Sequence, residues 1–168
     1  MPITHHLYSR FAEGLLKGEI PNLASSGTTV KCALMFEDTG NNPFTFNHNH
    51  QHWGDVTSFE CRDDDYVNEG GTEEGIRGQI IPTKTVTRSG TVTTFDTGAV
   101  PKKLTYTAHG NIKATHAVIF IEVLDGGTLT PADSRLISCV DFGAVRESVE
   151  GEFSITFSAS GIASITVA

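Results

Sequence analysis

Three histidines in one short run are the residues best suited to bind a metal ion. Residues 47–53 read NHNHQHW, so His48, His50 and His52 are spaced two apart. In an extended strand such residues point to the same face, with Cα atoms about 6.6 Å apart per step. Two imidazoles could then bind one Zn²⁺ or Ni²⁺ ion, or a three-fold oligomer could gather them around its axis.

Two other interpretations of this run compete with metal binding. The first is a polar loop whose imidazoles form local hydrogen bonds or face solvent. The second is an acid-sensitive contact, because histidine titrates near pH 6.5. No cysteine adjoins the run, and acidic residues occur only in nearby loops. We therefore favour the polar loop and expect neither a metal nor another cofactor.

A cluster of carboxylates further along the chain has the oxygen atoms that Ca²⁺ requires. It consists of Asp63, Asp64, Asp65, Glu73 and Glu74. Their spacing does not match an EF-hand, and Ca²⁺ needs six to eight oxygen ligands. We expect residues 62–78 to form an exposed acidic loop instead.

The chain has none of the short motifs that mark common catalytic sites. It lacks a GxSxG nucleophile elbow, an HExxH zinc motif, a phosphate-binding P-loop and a dinucleotide fingerprint. We therefore expect that it is not an enzyme, and a metalloenzyme built on the histidine run is the third-ranked hypothesis. We expect Trp53, the single tryptophan, to anchor packing, and a platform that stacks on a glycan is the alternative.

Charge and composition exclude several classes of partner. The 168 residues carry 12 basic and 20 acidic side chains, a formal charge of −8, without a basic tract. Such a chain has no electrostatic means of holding phosphate backbones, so we expect no direct binding of nucleic acid. No apolar stretch approaches the roughly 20 residues that span a bilayer, and the start lacks a signal peptide. We expect no membrane association and synthesis in a cytoplasm.

Cysteine usage does not indicate a disulfide framework. The three cysteines, Cys32, Cys61 and Cys139, are odd in number, and no pair has CxxC spacing. All three lie in apolar or strand-like stretches. We expect buried free thiols that behave as small apolar residues.

Residues 8–18 are the one segment with clear helical spacing. Five apolar residues fall on one helical face: Tyr8, Phe11, Ala12, Leu15 and Leu16. Gly18 and then Pro21 end the pattern. We expect one short helix docked through this stripe. Residues 1–7 are expected to act as an arm that reaches a neighbouring subunit.

From residue 28 to residue 168 the spacing is that of β-strands. Alternating patterns predict strands at residues 28–36, 55–61, 103–108, 135–142, 152–157 and 163–167. Residues 83–95 predict a hairpin around Ser89-Gly90, and residues 115–124 predict a central strand covered on both faces. The chain is therefore predicted to be one all-β domain, an antiparallel β-sandwich with one short N-terminal helix. A jelly roll is the specific variant considered.

Several segments together resemble the small virion structural proteins of tailed bacteriophages, of the capsid cement or decoration type. The segments that carry the resemblance are YSRF at 8–11 with LLKGEI at 15–20, TTVKCAL at 28–34, HWGDV at 52–56, AVI at 117–119, LI at 136–137, DFG at 141–143, and GEFSITF at 151–157 with GI at 161–162. They occur near both ends and in the middle of the chain. The histidine run and the acidic loop depart from the group, so no binding residue is carried over from it.

The resemblance implies a β-sandwich that binds a capsid lattice without a cofactor and without catalysis. The expected partners are the major capsid protein and further copies of the chain, as a dimer or trimer. The expected location is the outer surface of the virion capsid. The alternative is a tail-associated or receptor-binding module, whose loops at residues 37–53 and 62–78 would contact a host glycan.

Overall fold

The computed structural model describes residues 3–36, 44–61, 78–98, 102–107, 112–149, 151–158 and 161–166. Its helix is α1 (Ser9–Lys17). Its strands are β1 (Thr4–Leu7), β2 (Thr29–Met35), β3 (Gln79–Ile80), β4 (Lys84–Ser89), β5 (Val92–Thr97), β6 (Lys103–Thr107), β7 (Ile112–Glu122), β8 (Leu124–Asp125), β9 (Thr128–Leu129), β10 (Leu136–Ser148), β11 (Glu152–Thr156) and β12 (Ala163–Thr166).

The described strands form four antiparallel groups. The largest is a five-stranded sheet in the order β1-β10-β7-β2-β3. A two-stranded sheet pairs β11 with β6, a three-stranded sheet has the order β12-β5-β4, and β8 pairs with β9. This arrangement confirms the predicted all-β, sandwich-like fold with one short helix, and the jelly-roll variant stays a prediction. No helix in the described ranges is long and apolar enough to cross a membrane.

The centre of the five-stranded sheet is buried on both faces. In β7 every residue from Ala117 to Ile121 is buried, as the run of apolar residues on both faces predicts. One face, which we call the helix-side face, carries Cys139, Val118 and Ala33 in register across three strands. Tyr8 and residues 44–61 cover it, and Trp53 stacks on Phe120 there.

The opposite face, which we call the second-sheet face, packs against β6 and β11. The ring of Phe142 in β10 lies 6.1 Å from the ring of Phe153 in β11, measured between centroids. The hydroxyl of Tyr106 in β6 donates a 2.7 Å hydrogen bond to the main-chain oxygen of Cys32 in β2. The two layers are therefore joined by a buried polar contact as well as by apolar packing.

The helix matches its predicted position within one residue at each end, but only the first part of the predicted apolar stripe is buried. Tyr8, Phe11 and Gly14 are buried, whereas Leu16 is 92% exposed. A Cβ atom at Gly14 would lie 3.1 Å from the side chain of Ile20, so the missing side chain lets the following segment pack closely. The helix therefore docks through its first turns, and the predicted role of Leu16 in the stripe is wrong.

Residues 4–7 do not extend as an arm. They form β1, an edge strand paired antiparallel with β10, in which His5 lies opposite Val140 and His6 opposite Cys139. The main chain of Tyr8 continues this pairing, because its N–H donates to the oxygen of Ile137. The start of the described chain is thus part of the largest sheet.

Two predicted strand boundaries are wrong for local reasons. Residues 55–61 were expected as a strand, but Trp53–Asp55 and Thr57–Phe59 are short 3₁₀ turns. The expected end of a strand at Gly143 is instead an irregularity within β10, which continues to Ser148. Gly143 has a φ of +71°, a left-handed conformation that glycine adopts readily, so the strand bends and goes on.

The three cysteines are buried and free, as predicted. Burial raises the pKa of the Cys32 thiol to about 12, and burial together with nearby Asp141 also raises the pKa of Cys139. Both side chains are therefore thiols at neutral pH, a form that is poor as a nucleophile or metal ligand.

Candidate interaction site

The histidine run lies in a loop rather than in a strand. His48 and Asn49 form a turn, and the ring of His48 meets the edge of Phe46 at 5.4 Å. His52 is in an isolated bridge with Arg135. His48, His50 and His52 therefore do not form the ladder that a strand would give, and the loop interpretation describes their local structure.

Asp55 fixes the backbone of this loop. One of its carboxylate oxygens accepts hydrogen bonds from the main-chain N–H groups of Gln51 and His52, at 2.8 and 3.0 Å. Burial raises the pKa of Asp55. These two hydrogen bonds and the nearby His50 and His52 together lower it by more, so the pKa of Asp55 lies below its ordinary value. Within the described ranges, no group of three or more His, Cys, Asp or Glu residues is placed to hold a metal ion. The carboxylates at residues 63–65 and 73–74 lie outside the described residues.

Trp53 is a packing residue. Its side chain is fully buried and stacks on Phe120 with ring centroids 4.3 Å apart and an angle of 14° between the planes. This confirms the prediction that Trp53 anchors packing. A fully buried indole cannot stack on a sugar from solution, so the glycan-platform interpretation of this residue is wrong.

A cluster of aromatic and imidazole rings at the β1 edge of the sheet was not anticipated from the sequence. His6 stacks on Phe46 at 4.6 Å, and the edge of Phe44 contacts His116 at 4.9 Å. The Nε2 atom of His116 lies 3.7 Å from Oδ1 of Asp141. The members come from three segments that are far apart in sequence, so no local motif could reveal the cluster.

The partly buried histidines His5 and His116 should make the stability of the fold dependent on pH. Burial and nearby His6 lower the pKa of His5 from its ordinary value of 6.5. Burial also lowers the pKa of His116, against the opposing effect of Asp141. The folded protein therefore binds these protons more weakly than the unfolded chain does. The free energy of unfolding should be highest above about pH 6.5 and should fall as the pH drops below that value.

Denaturant unfolding between about pH 7.5 and pH 5.5 measures this effect, well above the range in which carboxylates titrate. His116→Gln should reduce the loss of stability across that window. Leu16→Gln, which changes a 92% exposed side chain without adding or removing a titratable group, is the control and should leave the slope unchanged. A free energy of unfolding that rises as the pH falls would contradict the prediction.

A cleft lies between the two layers. Its volume is about 700 Å³, and it lies between β1, β10, β11 and the segment that follows β11. Phe142, Phe153 and Ile155 form its apolar floor and are more than nine-tenths buried. Ile3, at the mouth, is 64% exposed. The volume lies in the range typical of ligand sites in proteins.

Within the described ranges, the cleft lies where a two-stranded sheet faces the five-stranded sheet. The sheet that covers this side of the fold contains β6 and β11, whereas the facing sheet has five strands. Residues His5, Val140 and Phe142 lie on the second-sheet face beyond the edge of β11 and line the cleft. The alternation of Phe153, Ile155 and Phe157 predicts their burial, but it carries no information about a neighbouring strand.

Charged groups at the mouth of the cleft are of both signs and are mostly exposed. The guanidinium of Arg146 donates a 3.2 Å hydrogen bond to the main-chain oxygen of Phe142. Glu147 lies 3.3 Å from Lys113, and Glu152 lies 3.6 Å from Lys103. Such a cleft can bury apolar side chains and hydrogen-bond to main chain, which suits adhesion to another polypeptide.

The chain was compared with known families and structures. No protein-family model, curated protein or solved structure matches it.

Proposed function

We propose that this chain is a structural protein of a phage virion, a cement or decoration protein that binds the major capsid protein. It acts by adhesion and performs no catalysis. It sits on the outer surface of the capsid and binds repeated sites on the lattice. The observation that carries the proposal is the apolar cleft between the two layers, which offers a docking site for a polypeptide.

Three further properties support adhesion to a protein shell. The sequence segments that resemble small virion proteins lie largely in elements of the sheets, such as β2, β7 and β11. The formal charge of −8 disfavours contact with packaged nucleic acid and suits an outer surface. Many copies of one weak contact on a lattice also give a higher overall affinity through multivalency. Because Trp53 is buried, the alternative of a glycan-binding tail module loses its best candidate residue.

Binding to empty shells tests the proposal. Purified chain is mixed with shells assembled from the major capsid protein of the same phage, and the shells are recovered by sedimentation. We expect the chain to co-sediment and to saturate at a fixed number of copies per lattice repeat. Shells carrying the chain should also survive heating or osmotic shock that breaks bare shells.

Two results would count against this function. One is a chain that stays in the supernatant at all concentrations. The other is binding that leaves the shells as fragile as before, which would remove the reinforcing role. Cryo-electron microscopy of whole particles distinguishes a capsid location from a position at the tail tip.

A further inference from the structure

The edge of β11 that faces the cleft has main-chain groups available for another strand. The N–H of Phe157 donates to the oxygen of Lys102, so the main chain of Phe157 points toward β6. Because main-chain direction alternates along an antiparallel strand, Ser154 and Thr156 point their N–H and C=O groups the other way. Among the described strands β11 is paired with β6 alone, so no described strand lies on this second edge.

The apolar residues that line the cleft could pack against one more β-strand beside this edge. A strand added next to β11 would lie about 4.8 Å from it, within the second layer. Alternate side chains of that strand would point toward Val140 and Phe142 on the facing sheet and lie beside Phe153 and Ile155. One occupant would thus complete the hydrogen-bonding of β11 and cover the apolar floor.

We propose that the cleft binds an extended segment of the capsid subunit, which adds to the second layer as a strand beside β11. The inference rests on the proposed function where it names the capsid subunit as the donor. Recognition by strand addition draws affinity from main-chain hydrogen bonds and specificity from the pockets for alternate side chains. The segment that fits therefore has small or β-branched apolar residues at alternate positions.

The charges on the chain define the donor further. The chain has a formal charge of −8. At the mouth of the cleft Glu147 and Glu152 lie near Lys113 and Lys103, so the acidic character comes from the chain as a whole. An acidic segment would be repelled, so the donor is neutral or basic. A second copy of the chain carries the same formal charge of −8 and is disfavoured for the same reason.

Amide hydrogen exchange with a synthetic peptide tests the cleft without any capsid. The probe is a capped peptide in which valine and threonine alternate between two terminal lysines. We expect the amides of Ser154 and Thr156 to become protected when the peptide is added. The amide of Val86, on the open edge of β4, should be unaffected, and a version of the peptide with terminal glutamates should protect less. Unchanged exchange at Ser154 and Thr156 with the lysine peptide would overturn the inference.

Matched variants test the same cleft on shells. Ser154→Pro removes one edge N–H donor, and we expect about tenfold weaker binding to shells. Val86→Pro makes the same change on the edge of β4 and should bind as the unmodified chain does. Ile3→Lys replaces an apolar contact at the mouth with a charge that repels a basic donor and should also weaken binding, whereas Leu16→Lys on the exposed face of the helix should not. Circular dichroism identifies any variant that fails to fold.

The outcomes separate the inference from the proposed function. If the chain binds shells and both cleft variants bind equally well, the strand-addition site is wrong while the function stands. If the chain does not bind shells but the peptide protects Ser154 and Thr156, the function is wrong while the strand-binding site stands. A dimer of the chain that is lost in Ser154→Pro would show a second copy as the occupant and overturn the choice of donor.

Discussion

Lys31→Met should lower the free energy of unfolding by about 3–5 kcal/mol, one of the two largest effects that we expect from a single substitution. The Nζ atom of Lys31 lies 2.7 Å from Oε1 of Glu122, and the two side chains are only 10% and 6% exposed. Removing the lysine leaves a buried carboxylate without its counter-charge. Urea unfolding followed by circular dichroism measures the change.

A double substitution separates the cost of an orphaned charge from the contribution of the pair itself. Lys31→Met combined with Glu122→Leu removes both charges, so most of the lost stability should return. Lys113→Met breaks the exposed pair with Glu147, whose side chains are 43% and 40% exposed, and should cost no more than about 1 kcal/mol. Equal losses for Lys31→Met and Lys113→Met would show that the buried pair has no special role.

Trp53→Ala should cost about 3–5 kcal/mol, because it empties a fully buried site that is stacked on Phe120. The main-chain N–H of Trp53 donates to the oxygen of Ser134, so this residue also fixes residues 44–61 to the region before β10. Because the indole packs residues 44–61 against Phe120, its loss should loosen the cover of the helix-side face even though the main-chain hydrogen bond remains. Because the chain has no other tryptophan, unfolding is followed by circular dichroism rather than by fluorescence.

Two further variants show how the loss of stability in Trp53→Ala should compare with that of milder changes. Trp53→Phe keeps an aromatic ring against Phe120 and should lose much less stability than Trp53→Ala. Leu16→Ala changes a side chain that is 92% exposed and should alter stability by no more than about 0.5 kcal/mol. If Trp53→Ala were as mild as Leu16→Ala, the described packing of residues 44–61 would be wrong.

The strands were predictable where one short segment contained the whole signal. β7 reads as a central strand because Ala117–Ile121 is apolar on both faces, and β11 reads as half-buried because Phe153 and Ile155 alternate with polar residues. The end of β10 was missed because Gly143 was interpreted as a stop, whereas it adopts a left-handed conformation within β10 and pairing with β7 resumes at Arg146. A local sequence pattern predicts which residues are buried, but it does not predict which other elements of the fold bury them.

The cleft could not be predicted from local sequence patterns for a related reason. Its lining comes from β1, β10, β11 and the segment after β11, so it depends on how the sheets are arranged rather than on any one segment. The β1 edge cluster likewise joins His6, Phe46 and His116 from three distant segments. The histidine run, in contrast, was conspicuous in sequence, yet the structure places its members in a turn and a bridge.

The pairing of β1 with β10 has a practical consequence for anyone who prepares this protein. Ile3 and His5 line the mouth of the cleft, so a purification tag or fluorescent fusion joined ahead of Ile3 would emerge beside it. Such an appendage would compete with any occupant and make a competent preparation look inactive. Labels are better carried on the exposed β4–β5 hairpin, which does not line the cleft.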